Sequence, residues 1–121
     1  MRTIDERAIA EAAGRRFRSE YHYAVFEYLR SAKAIQGLEK AGVLLHGRVL
    51  DAGCGGGGTA LSLAEEADFA VGLDLEARFH DAGTRLAREK QVGRVAFVQG
   101  DGARLPFPDG SFDVEIGRAH V

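Results

Sequence analysis

Between Gly53 and Gly58 five of six residues are glycine. The segment joins a short apolar run, Val49-Leu50-Asp51-Ala52, to the helical pattern Thr59–Glu66. An aliphatic run that passes through bare backbone into a helix is a strand–loop–helix unit. Gly53-Cys54-Gly55-Gly56-Gly57-Gly58 also fits G-x-G-x-x-G, a spacing that lets main chain approach a ligand at the helix N-terminus. A tight turn or flexible linker is the plainer reading of the same glycines. The position between two well-patterned elements favours the ligand loop.

The downstream pattern repeats the unit. Phe69–Leu73 reads as a second strand ending at Asp74, and Glu76–Lys90 as a helix with Phe79, Leu86 and Ala87 on one face. Val95–Val98 is a third strand, running to Gly100-Asp101. A fourth begins at Phe112-Asp113-Val114, after a loop punctuated by Pro106 and Pro108. Strand–helix–strand alternation with short connections predicts an α/β fold, a doubly wound parallel sheet with right-handed crossovers. The strands are apolar without clean alternation, which predicts helices on both faces. Upstream, Ile4 to about Gly42 carries apolar residues at helical spacing: Phe17, Tyr21, Val25, Tyr28/Leu29, Ala32, Ile35 and Leu38. Gly14 and Gly42 are the breaks or caps. Residues 1–46 are thus a helical N-terminal extension and 47–114 the sheet-bearing part.

An acidic residue stands at or near the end of each of the first three strands. Asp51 precedes the first glycine by two residues, where a fixed carboxylate repels a pyrophosphate and suits a cationic group instead. Asp74, 21 residues beyond Gly53, is placed to accept hydrogen bonds from a ribose diol; its structural alternative is a solvated turn carboxylate. Asp101 can accept from an exocyclic amine or cap the following turn. The set asks for a ligand with a cation, a ribose and an amino-bearing base.

VLDAGCGGGG, GLDLE and VQGDGARLPFPDGSFDV, in that order and spacing, resemble the Rossmann-like S-adenosyl-L-methionine-dependent methyltransferases. The last string is most similar to the small-molecule subgroup that includes ubiquinone- and menaquinone-biosynthesis enzymes. The resemblance covers residues 48–114. It implies that Asp51 and the amides of Gly53 and Gly55 hold the methionine end of the cofactor, with Cys54 an ordinary occupant of that loop. It implies further that Asp74 binds both ribose hydroxyls, that Leu75 packs on the adenine, and that Asp101 and the Gly102 backbone meet the adenine amine and a ring nitrogen. The implied partner is a small-molecule methyl acceptor, whose own residues lie beyond the fourth strand; no catalytic residue is assigned. An NAD-dependent oxidoreductase and a non-catalytic cofactor-binding module are the competing functions.

Composition narrows the classes. The 16 basic and 18 acidic residues give a net charge of −2, without the basic excess of a nucleic-acid binder. Charge is uneven: residues 1–48 hold nine basic and six acidic side chains, residues 49–121 seven and twelve. No apolar run is long enough to span a membrane, so no membrane partner and a cytoplasmic setting are expected. One cysteine makes no disulfide framework, and His22, His46, His80 and His120 have no metal spacing. In the N-terminal stripe, Phe17, Tyr21 and Tyr23 with Arg15, Arg16 and Arg18 read either as a lid or, preferably, as a packed helix with a solvated basic face. Beyond Val114 the pattern breaks. Glu115 in a central strand predicts a buried charge, and Ile116–Val121 matches one translated frame of a common short-read sequencing adapter. Residues 115–121 are therefore expected to be a non-native tail, with native sequence stopping the sheet just after strand four begins. The underlying codons test this.

Overall fold

A computed structural model describes residues 19–42 and 45–117. The expected helix upstream of Ser19, the lid residues Arg15, Arg16, Phe17 and Arg18, and residues 118–121 lie outside the described residues. Helix α1, Glu20–Lys40, is capped by Ser19, whose side chain accepts from the His22 amide. There follow β1 (Arg48–Ala52), α2 (Gly58–Glu66), β2 (Phe69–Asp74), a 3-10 turn (Ala77–Phe79), α3 (His80–Glu89), β3 (Val95–Gln99) and β4 (Val114–Gly117). The expected helix from Glu76 is thus split, its first turn being tighter. β4 starts at Val114 rather than Phe112.

All pairings are parallel and the strand order is β3-β2-β1-β4. The two crossovers β1→β2→β3 step in one direction, and the return to β4 reverses past β1. Carboxyl ends of strands flanking such a reversal form the crevice where open α/β sheets bind ligands.

The reversal also decides which face is covered. Val49, Ala70, Val95, Val114 and Ile116 pack with Ile35 of α1, with Leu63 and Ala64 of α2, and with Ala67 after it. Leu61 of α2 joins Ala24 of α1 and Ala82, Leu86 and Ala87 of α3 in an adjoining cluster. Opposite, Leu50, Val71 and Leu73 are covered by Val98, Leu105, Phe107 and Phe112. None of these comes from a helix. Helices on both faces were expected; among the described residues they lie on one. Right-handed crossovers stepping the same way put both helices on one side, and the returning connection must cross the other. Here that connection is the proline-punctuated loop, in which Phe107 and Phe112 meet edge to face at 5.0 Å.

Two further expectations change. The buried residues of α1 are Tyr23, Ala24, Glu27, Ser31 and Ile35, rotated from the predicted apolar stripe; Leu29 is 59% exposed. Small and polar residues of α1 meet α2 where the two helices approach closely. Ser31 Oγ lies 2.6 Å from Thr59 Oγ1, and Ser62 Oγ donates to the Tyr28 carbonyl at 3.0 Å. Glu115 pairs with Leu50 in register but is exposed, so the burial predicted for its carboxylate does not occur. Asp113 closes the base of β1 by accepting the Arg48 amide at 2.9 Å.

Candidate cofactor-binding site

The glycine loop turns its amides into the protein. Gly53 N and Cys54 N both donate to the Leu73 carbonyl, at 2.7 and 3.0 Å, and Gly55 N donates to Asp74 Oδ2 at 2.9 Å. Gly53 (φ +81°) and Gly55 (φ +55°) have the positive φ this turn requires. The Gly53 and Gly55 amides, expected to hold the ligand, are both engaged within the protein. Both are spent tying the end of β1 to the end of β2. Gly57 N returns to Cys54 O at 3.0 Å, and α2 begins on Gly57 without a side-chain cap.

The glycines have a second reason. A Cβ on Gly58 would lie 2.1 Å from the Ala24 carbonyl and 2.5 Å from Tyr28 N. On Gly56 it would meet Glu27 Oε1 at 2.5 Å, and on Gly57 the Phe97 ring at 2.5 Å. The bare backbone makes room for α1 and for Phe97, so the N-terminal helix is part of the loop's wall.

The predicted acidic residues occupy three different environments. Asp51 is 1% exposed. It sits beside Gly72 in register, on the helix-covered face, and lies under the loop instead of rimming an open pocket. Asp74 is half-buried, with Oδ1 accepting the Glu76 amide at 2.8 Å and Oδ2 that of Gly55. Each carboxylate oxygen keeps a further lone pair for a diol. Asp101 is exposed, and its Oδ1 accepts the Ala103 amide at 2.9 Å. The turn-capping alternative is realised there, with Oδ2 still available. Leu75 is 56% exposed, its carbonyl held by Gln99 Nε2 at 3.0 Å. A Cβ on Gly102 would touch only Ala52, at 3.9 Å. An exposed apolar side chain, open space at Gly102 and the Asp101 carboxylate thus share one end of the crevice. Cys54 is buried and unbridged, packed so that its Sγ fills the space a side chain on Gly72 would need.

Polar contacts lock α1 to its neighbours. The Tyr21 hydroxyl donates to Glu89, and the Arg85 guanidinium stands 3.9 Å over the Tyr21 ring. The hydrogen bond raises the Tyr21 pKa and lowers that of Glu89. Tyr28 is pushed up to about 12, chiefly by its hydrogen bond to Glu65 and then by partial burial. For Tyr21 and Tyr23 the packed-helix reading holds: Tyr23 is 6% exposed.

Sequence reasoning missed two residues. Glu27, on α1, is fully buried and carries its carboxylate to the back of the loop. Phe97, on β3, wedges its ring against Gly57, Gly72 and Gly83 and lies 5.8 Å from the His80 ring. Gly83 was the available signal, since a glycine inside a helix costs about 1 kcal/mol relative to Ala and so marks a close approach. For Glu27 no local signal exists: a glutamate in a helix usually faces water.

Chemically, this crevice presents carboxylates and an apolar shelf, with the first three loop amides already used. A pyrophosphate needs those amides; a nucleoside carrying a cation does not. Among the described residues no group of three or more His, Cys, Asp or Glu is placed to hold a metal ion.

Comparison with known proteins agrees. The model of the methyltransferase domain family matches residues 49–120, and the chain belongs to that family. The fold is that of the Rossmann-like methyltransferases. An uncharacterized methyltransferase of Bacillus subtilis, YcgJ, is 42% identical over 67 residues, 55% of this chain and 26% of its own length. Its crystal structure superposes with a TM-score of 0.62 at 35% identity, covering 74% of this chain and 37% of that one. A demethylmenaquinone methyltransferase of Geobacillus kaustophilus is 36% identical over 74 residues, 58% of this chain and 32% of the relative. The [4+2]-cyclase SpnF has a TM-score of 0.59 at 31% identity, covering 69% of this chain and 32% of that one. The chain thus spans about a third or less of the length of these relatives.

Proposed function

We propose that the protein is the cofactor-binding part of an S-adenosyl-L-methionine-dependent methyltransferase acting on a small-molecule acceptor. One observation carries this beyond family membership: the amides of Gly53, Cys54 and Gly55 point into β2 and Asp74. The loop is thereby a poor cradle for a dinucleotide pyrophosphate and a good neighbour for a sulfonium nucleoside. The oxidoreductase alternative has no support from the relatives.

In this reading Asp74 accepts from both ribose hydroxyls and holds the loop with the same carboxylate. Leu75 covers one adenine face, Asp101 accepts from the adenine amine, and the backbone at Gly102 meets the ring edge. Asp51 supplies negative charge beneath the amino-acid end, next to Gly53, Cys54 and Gly55. The cofactor, when bound, brings an electrophilic methyl group on a sulfonium; the chain's work is to bind and orient it. No described residue is assigned as acid or base. A cytoplasmic setting belongs to the same proposal and is checked by cell fractionation. No described helix is long and apolar enough to cross a membrane.

Titration calorimetry of the full chain against S-adenosylhomocysteine and NAD tests the reading. Micromolar binding of the first without the second is expected, and the reverse preference overturns it. The likeness to a [4+2]-cyclase favours a second reading, a domain of this fold that serves a reaction other than methyl transfer. Transfer of a labelled methyl group to any small-molecule acceptor decides against it.

A further inference from the structure

We infer that Gln99 is a cofactor-positioning residue that sets the spacing of the adenine slot between Leu75 and Asp101. The inference rests on the proposed cofactor and adds a residue of β3 to its site. Asp74 and Gln99 are the last paired residues of β2 and β3. The Gly100 amide donates to the Asp74 carbonyl at 3.0 Å and closes the backbone ladder. Gln99 extends that ladder by one rung from its side chain, Nε2 donating to the Leu75 carbonyl at 3.0 Å. The other end of the same peptide group, the Glu76 amide, donates to Asp74 Oδ1 at 2.8 Å.

A peptide group is a rigid plane, so holding both its carbonyl and its amide fixes its orientation. Leu75 relies on such a hold, because 56% of it is exposed. Gln99 is itself exposed, so burial does not force its amide toward that carbonyl. Asp101 stands two residues beyond Gln99, with Oδ1 accepting the Ala103 amide at 2.9 Å. The strand that carries the carboxylate thus also fixes the apolar shelf. A purine lying on Leu75 then meets Asp101 at a set distance. A hydrogen bond to its exocyclic amine discriminates between bases only while that distance is kept.

The test exchanges the base as well as the side chain. The ligands are S-adenosylhomocysteine and S-inosylhomocysteine, whose base carries a carbonyl in place of the amine. Calorimetric affinities for both are measured on the full chain and on Gln99→Met, which keeps the side-chain length and removes the donor. The wild type is expected to prefer the adenine ligand at least ten-fold, and the variant to lose at least five-fold of that preference. A preference unchanged by the substitution, whether both affinities fall together or neither moves, overturns the inference and leaves the cofactor assignment standing. A wild type that binds both ligands equally overturns it together with the Asp101 contact. One that binds neither overturns the cofactor as well. Should Gln99→Met fail to fold, Gln99→Ala is held to the same change in preference.

Discussion

Gly55 N donates to Asp74 Oδ2 at 2.9 Å, so one carboxylate both shapes the glycine loop and stands at the proposed ribose site. Its other oxygen takes the Glu76 amide. A group that serves the loop and the ligand together links cofactor affinity to loop order. Asp74→Ala is expected to weaken S-adenosylhomocysteine binding at least ten-fold and to destabilise the chain by about 1 kcal/mol, through two amides that lose their acceptor. Calorimetry and urea unfolding check the two parts separately. Intact affinity would remove Asp74 from the site.

Glycines that look equivalent in sequence are expected to respond oppositely. Gly58→Ala adds helix propensity worth about 1 kcal/mol but drives a Cβ to 2.1 Å from the Ala24 carbonyl. Backbone cannot give way cheaply there, so a net loss of about 2 kcal/mol is expected. Gly37→Ala, inside α1 with nothing within 4 Å of its Cβ position, is expected to stabilise by about 0.5–1 kcal/mol. Chemical denaturation of both variants decides it, and equal effects would refute the packing account of the loop.

Tyr28 makes stability fall in strong base. Its folded-state pKa is about 12, above the ordinary 10.0, because its hydroxyl bonds to Glu65. A raised value means this contribution is full below pH 10 and is lost as the pH climbs toward 12. Thermal midpoints of the wild type should therefore fall more steeply across that window than those of Tyr28→Phe. Parallel curves would count against the Tyr28–Glu65 bond.

Glu66 is shifted in the same direction, but in the acid range. Its pKa is raised by a hydrogen bond to Glu39 and by that neighbour's charge. For a carboxyl with a raised folded value, the contribution is present in acid and disappears as the pH rises through that value. Near neutrality the pair repels across the α1–α2 interface. Glu39→Gln is expected to raise the melting temperature slightly at pH 7 and to change it little at pH 4; a gain confined to pH 4 would contradict the pairing.

Much of this architecture is legible in the chain. Val49–Asp51, Phe69–Leu73 and Val95–Val98 are short, mostly apolar runs leading to glycine or aspartate, and such runs have few alternatives to a buried parallel strand. The acidic residue at the end of β2 was legible for the same reason: spacing along a strand–loop–helix unit is a local property. Local pattern by itself also determined the order of elements.

Tertiary structure alone decided what the glycines face, which side of α1 is buried and where each carboxylate ends up. Hydrophobic periodicity reports side-chain volume, whereas the closest contacts are made by the smallest groups, and those carry no periodic signal. Thus Ala24, Glu27 and Ser31 are buried, while Leu29 is left exposed. Asp51, Asp74 and Asp101 look alike in sequence, yet they end as a buried side chain under the loop, a loop anchor and an exposed turn cap. Solvation and hydrogen-bond partners are fixed by what packs around a residue, and chain order does not encode that.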